Sequence, residues 1–168
     1  MNDLQKSSVY IETSVISYLT SQNSRDLVLA AHQEITREWW ESRRHDYHLV
    51  ISELVNTEIE AGDQSASQKR KELVQGLDFL KIDEEATRLA KTLIEQRILP
   101  HKAFEDALHI AIATRNNVDY LMTWNCKHIA NGEIQKRIIN LYHSLGYSSP
   151  LICTPLELMD RWDYERGN

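Results

Sequence analysis

Four positions in this 168-residue chain carry side chains suited to joint chemistry: Glu12, Glu58, Asp106 and Asn125. Glu12 closes a short β-prone run and is followed by Thr13 and Ser14. Glu58 lies in "ELVNTEIEAG" (53–62), Asp106 opens "EDALHIAIATRN" (105–116) beside Glu105, and Asn125 follows Thr123 in "DYLMTWNCKHIAN" (119–131). Carboxylates gathered without compensation repel one another, raise their own pKa values and neutralise. A divalent cation removes that cost, and ligation by Asp, Glu, Asn and water favours Mg²⁺ or Mn²⁺ over zinc. An ion held with open positions lowers the pKa of bound water and neutralises charge on a phosphodiester. Metal-assisted phosphodiester hydrolysis is the chemistry that these residue types suggest.

Each member also has a purely structural role open to it. Glu12 can sit at a helix N-terminus, where its charge is favoured; Asp106 can cap the helix it opens; Asn125 can serve a turn. Among the glutamates of 53–62, Glu58 follows Leu54 and Val55 by four and three positions and shares their inward side. Glu53 and Glu60 are expected to face solvent or to cap. His109 lies one turn after Asp106; it is either a packed, hydrogen-bonded histidine or a group that orients a carboxylate or touches phosphate. His128 can approach a substrate if a short helix begins near it. Cys126 and His128 resemble zinc ligands, but no second pair accompanies them. Trp124 either stacks an unpaired base or covers a strand end.

These side chains need elements to hold them. Short apolar runs at 8–11, 47–52, 78–82, 119–123 and 151–154 read as strands, and helical patterns separate them. Thr13 or Ser14, Ser52 and Asp83 are candidate caps. In 24–44, Leu27, Ala31, Ile35 and Trp39 recur every fourth residue and define an expected buried face. Trp39 and Trp40 are adjacent and so cannot share one core, which leaves one of them for a partner interface. A final helix is expected after the fifth strand. Strands alternating with helices imply a parallel α/β sheet covered on both faces, and ligands of such sheets bind beyond the carboxyl ends of the strands.

Composition narrows the classes further. The length suits one domain with a real core, and 42% hydrophobic with 26% charged residues is ordinary for a soluble globular protein. No run approaches the roughly 18 apolar residues of a membrane span. The N-terminal residues lack a secretory pattern, and two cysteines without ligand spacing suit a reduced cytoplasmic setting. A net charge of −6 argues against coating nucleic acid by bulk electrostatics. It leaves room for a local basic rim from "ESRRH" (41–45), "QKRKE" (68–72) and "QKR" (135–137), each of which also reads as a solvated helix face.

Taken together and in order, "VYIETSVISYL" (9–19), "ISELVNTEIEAG" (51–62), "EDALHIAIA" (105–113) and "DYLMTWNCKHIAN" (119–131) resemble the PIN-domain ribonucleases, particularly the VapC-like toxins of toxin–antitoxin pairs. The resemblance implies a single PIN-like domain over 1–168, a three-layer α/β/α arrangement around a short-stranded, mainly parallel sheet. It implies Mg²⁺- or Mn²⁺-dependent cleavage of RNA, with Glu12, Glu58 and Asp106 holding the ion directly or through water. Asn125 would orient a water or contact phosphate, and Thr13 or Ser14 would hydrogen-bond a carboxylate. Thr123 matches a hydroxyl often found at its position. Two positions depart from the family pattern. Glu12 stands where an aspartate is usual, and Asn125 where a fourth acid is usual, losing a charge while keeping an oxygen acceptor. A small antitoxin and a homodimeric state are implied only by the resemblance. The alternatives are a catalytically degenerate PIN-like module that binds RNA or protein, and, more remotely, an α/β phosphatase-type hydrolase, for which no D-x-D follows a strand.

Overall fold

The computed structural model describes residues 6–159. Five strands form one sheet: β1 (Ser8–Ile11), β2 (His48–Ser52), β3 (Asp78–Leu80), β4 (Tyr120–Met122) and β5 (Leu151–Cys153). The spatial order is β3-β2-β1-β4-β5 and all four pairings are parallel. The sheet is therefore wholly parallel, where the sequence suggested mainly so. Val9, Tyr10 and Ile11 on the central strand are all fully buried. Successive strand residues point to opposite faces, so both faces of the sheet are covered.

The helices are α1 (Thr13–Thr20), α2 (Leu27–Ser42), α3 (Glu53–Glu60), α4 (Gln64–Val74), α5 (Glu84–Glu95), α6 (Phe104–Arg115) and α7 (Gly132–Ser144). Local chemistry explains where most of them start. Ser52 accepts from the Val55 N–H (3.2 Å), Asp63 from Ala66 (2.9 Å) and Asp83 from Ala86 (2.8 Å), each filling one of the donors a helix start leaves open. The cap of α1 differs from expectation: it is Glu12, not Thr13 or Ser14, whose carboxylate accepts from the Ser14 N–H at 3.1 Å. Asp106 is not a cap either; Ala103 holds that place and Asp106 lies in the first turn of α6.

α5 presents Ala86, Leu89, Ala90, Leu93 and Ile94 to the core, the stripe expected of a surface helix. α6 is buried from Ala107 through Thr114, and its small Ala107, Ala111 and Ala113 permit close packing. No described helix is long and apolar enough to cross a membrane.

α2 departs most from its sequence pattern. Leu27 is 86% exposed and Ala31 is exposed, while Gln33, Thr36 and Trp39 are buried. A spacing of four drifts by about 40° per step around a helix, so the series swings off the docked face before it reaches the first turn. Polar residues hold that face instead. Gln33 accepts from the Ser24 N–H (2.9 Å) and donates to Ser21 Oγ (2.7 Å) and the Gln22 carbonyl (3.0 Å), pinning the loop before its own helix. The tryptophan pair also corrects the expectation of a free ring. Trp39 is fully buried and donates its indole N–H to the Leu158 carbonyl at 3.1 Å. Trp40 is half-buried with the Arg44 guanidinium 5.4 Å from its ring centre. After β5 comes a short 3-10 turn, Pro155–Leu158; the expected terminal helix falls partly outside the described residues.

Candidate active site

The strand order reverses direction at β1, whose two neighbours are β2 and β4. Beyond the carboxyl ends of β1 and β4 lies the crevice where open α/β sheets bind ligands. Register aligns those ends: Ile11 pairs with Met122, and the Glu12 N–H continues the ladder to the Met122 carbonyl at 3.1 Å. Glu12 and Thr123 are thereby fixed side by side.

Glu12 is almost fully buried and its two oxygens are treated unequally. Oε2 accepts from the Ser14 N–H, the Ser14 hydroxyl and the Thr123 hydroxyl (2.7 Å). Oε1 has His109 Nε2 at 3.9 Å. The Ser14 and Thr123 hydroxyls in turn accept from the backbone N–H groups of Trp124 and Asn125, both at 2.9 Å, so the loop after β4 is tied to the carboxylate it faces.

Glu58 reaches the same crevice from the last turn of α3. The Thr13 hydroxyl donates to it, and His109 Nε2 lies 3.1 and 3.2 Å from its oxygens. Arg70 secures that helix end by donating to the carbonyls of Ile59 (3.0 Å) and Ala61 (2.6 Å), a favourable use of a cation at a helix C-terminus. Burial pushes the Glu58 carboxyl up, but the hydrogen bond and charge of His109, with the Thr13 hydroxyl, outweigh it and hold the group below its ordinary value. His109 is buried, which alone would push its pKa down. The hydrogen bond to Glu58 and the charges of Glu12, Glu58 and Asp106 prevail, and it rises.

Asp106 completes the carboxylate set from α6 but is engaged differently. Asn125 Nδ2 donates to its Oδ1 at 2.9 Å, and His128 Nδ1 lies 2.8 Å from its Oδ2. The Asn125 amide is used at both ends, since its Oδ1 accepts from the His128 N–H at 3.1 Å. His128 thus sits in a turn closed by Asn125, with no helix beginning there. Trp124 packs: its indole N–H donates to Thr36 Oγ1 at 2.7 Å, and its ring stacks on His32 with centroids 4.0 Å apart.

The nine candidates fall into two hydrogen-bonded groups, Glu12, Ser14, Thr123, Asn125, Asp106 and His128 in one and Thr13, Glu58 and His109 in the other, which approach each other where His109 Nε2 lies 3.9 Å from Glu12 Oε1. Among the described residues, Glu12, Glu58 and His109 can bring one ligand atom each within 4.8 Å of one another. Asp106 stands outside that trio. Carboxylate oxygens at this density suit a hard divalent cation, and Glu12 Oε1 and the Glu58 oxygens are the atoms best placed to receive one. Sequence reasoning missed Tyr10. Its hydroxyl lies 2.8 Å from His109 Nδ1 and 2.6 Å from Ser52 Oγ, and the available signal was a tyrosine inside a strand too buried to hydrate it.

A parallel α/β sheet with carboxylates beyond its switch point is a place where ligands of such sheets bind and where a hard cation would be accommodated. Comparison of the sequence makes this specific: the family model described as PIN domain matches residues 9–129, and the chain belongs to that family. No curated protein matches the chain. Among solved structures, the fold is similar to VapBC2 from Rickettsia felis bound to a DNA fragment from its promoter, at 16% identity and a TM-score of 0.57, covering 88% of this chain and 98% of that one. It is similar to VapBC-1 from nontypeable Haemophilus influenzae at 14% identity and a TM-score of 0.56, covering 89% and 98%. Mycobacterium tuberculosis VapC20, a sarcin–ricin loop cleaving toxin, matches at 15% identity and a TM-score of 0.54, covering 74% and 95%.

Proposed function

We propose that this chain is a single-domain, Mg²⁺- or Mn²⁺-dependent endoribonuclease, the toxin of a toxin–antitoxin pair, working in the cytoplasm. The observation that carries the reading is the approach of Glu12 and Glu58 to one another, with His109, beyond the strand ends of a PIN-family fold, with Asp106 linked to Glu12 through Asn125 and Thr123. Glu12, Glu58 and Asp106 would hold the ion, directly or through water. When bound, it supplies charge neutralisation on the phosphodiester and eases deprotonation of an attacking water. The chain's own residues do the remaining work. Ser14 and Thr123 fix one Glu12 oxygen, which leaves the other directed at the crevice. Thr13 and His109 orient Glu58, and Asn125 and His128 steady Asp106. Two fold neighbours are toxin–antitoxin assemblies, which supports a small antitoxin that covers the acidic crevice. A homodimer accords with the family.

The test is cleavage of single-stranded RNA by purified protein with Mn²⁺. Asp106→Asn is expected to lose activity by at least about 100-fold while keeping its circular dichroism spectrum. Full activity in that variant would overturn the assignment. One observation favours a second reading, a degenerate RNA- or protein-binding module: both Asp106 oxygens are engaged by protein groups, and Asn125 spends its amide internally. RNA binding by the wild type without cleavage at any Mn²⁺ concentration would select it.

A further inference from the structure

Tyr10 is fully buried in the middle of β1, yet its hydroxyl lies between two polar partners, Ser52 Oγ and His109 Nδ1. Ser52 Oγ also accepts the Val55 N–H, and His109 turns Nε2 to the Glu58 carboxylate. A continuous chain therefore runs from the first turn of α3, through β1 and α6, back to the last turn of α3. It joins the two ends of the helix that carries Glu58.

With the His109 ring neutral, counting hydrogens decides the direction of this chain. The Val55 N–H can only donate, and an ionised Glu58 can only accept. His109 Nε2 must then carry a hydrogen, or two sets of lone pairs would face each other at about 3 Å. With Nε2 protonated, Nδ1 of a neutral ring accepts from the Tyr10 hydroxyl. The Ser52 hydroxyl donates to Tyr10, and its oxygen takes the Val55 N–H. Every hydrogen has an acceptor and every buried group a partner. The opposite setting bares Nε2 for a metal, directs Nδ1–H to Tyr10 and Tyr10 to Ser52, and leaves the Ser52 hydroxyl hydrogen with no acceptor in the chain.

We propose that Tyr10 and Ser52 are positioning residues of the acidic site, which hold His109 as an Nε2–H donor to Glu58, so that His109 orients a carboxylate and does not itself bind the ion. The ligand set is then made of oxygens, the set that suits Mg²⁺ and Mn²⁺; an imidazole ligand would move the preference toward zinc or nickel. The proposal rests on the nuclease reading only for its effect on turnover.

Nitrogen NMR of the histidine rings tests it, with His109 assigned by its disappearance in His109→Gln. The His109 Nε2 resonance is expected to be that of a protonated nitrogen in metal-free protein and after saturation with Mg²⁺. Tyr10→Phe is expected to move the His109 ring nitrogens while leaving most amide resonances in place. A bare Nε2 in the wild type, with or without Mg²⁺, overturns the proposal whether or not Tyr10→Phe folds. His109 nitrogens unmoved in a folded Tyr10→Phe also overturn it. In the cleavage assay, Tyr10→Phe should lower kcat by about tenfold and leave KM for single-stranded RNA within about twofold. His109→Gln, which keeps an N–H donor, should retain more activity than His109→Leu. Unchanged kcat in Tyr10→Phe, or equal loss in the two His109 variants, contradicts the positioning role. A wild type that does not cut RNA counts against the nuclease reading alone, because the ring nitrogens still show which atom bears the hydrogen.

Discussion

The crevice contains two histidine–carboxylate pairs of the same chemistry and opposite construction. His109 and Glu58 differ in exposure, the imidazole being 1% exposed and the carboxylate 24%, and the imidazole is backed by Tyr10 and Ser52 from two neighbouring strands. His128 and Asp106 meet at the rim, with side chains 17% and 23% exposed, and the histidine hangs on a turn closed by Asn125. The first pair is supported by β1, β2 and α6, the second by one loop and one helix turn. The Glu58 side is thus tied into the sheet, whereas the Asp106 side is tied into the loop after β4.

The largest effect should come from removing charge on either side. Glu58→Gln is expected to abolish RNA cleavage to the same extent as Asp106→Asn, at least about 100-fold, with secondary structure intact. A loss confined to one variant would show that only one pair serves catalysis. Next in size is stability. His109→Leu leaves the buried Tyr10 hydroxyl short of a partner and should cost about 2–3 kcal/mol, whereas His128→Leu at the rim should cost no more than about 1 kcal/mol. Urea unfolding of metal-free protein measures both, and equal costs would erase the contrast between interior and rim.

Asn125→Asp probes the rim alone. The substitution replaces an N–H donor to Asp106 with a second carboxylate, so it should tighten Mn²⁺ binding by about tenfold and destabilise the metal-free protein. Unchanged affinity in calorimetry would count against Asn125 lying near the ion. The smallest effect is on pH. His109 is raised, so its contribution to stability is complete below the ordinary imidazole value and is lost as pH rises through the folded value. Glu58 is lowered, so its contribution is complete above the ordinary carboxylate value and is lost as pH falls through the folded value. Both describe one pairing, which should stabilise metal-free protein most between about pH 4.5 and 6.5. Thermal unfolding of the wild type should fall from pH 6 to 8 by a few degrees more than that of His109→Gln; parallel curves would deny the coupling.

Much of this arrangement was legible in the residues. "SVYI" is a strand over the whole expected run, β5 ends at Cys153, one residue short of the expected 151–154, and Ser52 and Asp83 cap the helices they precede. The acidic candidates were picked out because Glu12 follows a strand, Asp106 opens a helix and Glu58 shares a helix side with Leu54 and Val55. α2 was misread because a four-residue repeat shows that a face exists, while docking decides which part of it is covered. The cap of α1 was misread because the Thr13 and Ser14 hydroxyls are drawn to Glu58 and Glu12, which leaves the Glu12 carboxylate as the acceptor for the Ser14 N–H.

What the sequence determined by itself is the alternation of strands and helices and the chemical types held at the strand ends, since hydrophobic period and capping are local properties. Only the tertiary structure decided the partnerships among them. Tyr10 meets His109 across 99 positions, and Glu12 meets Thr123 across 111. Such contacts arise from strand order and register, which no short stretch of chain encodes. The division of the site into a histidine braced by the sheet and one held on a loop follows from those pairings.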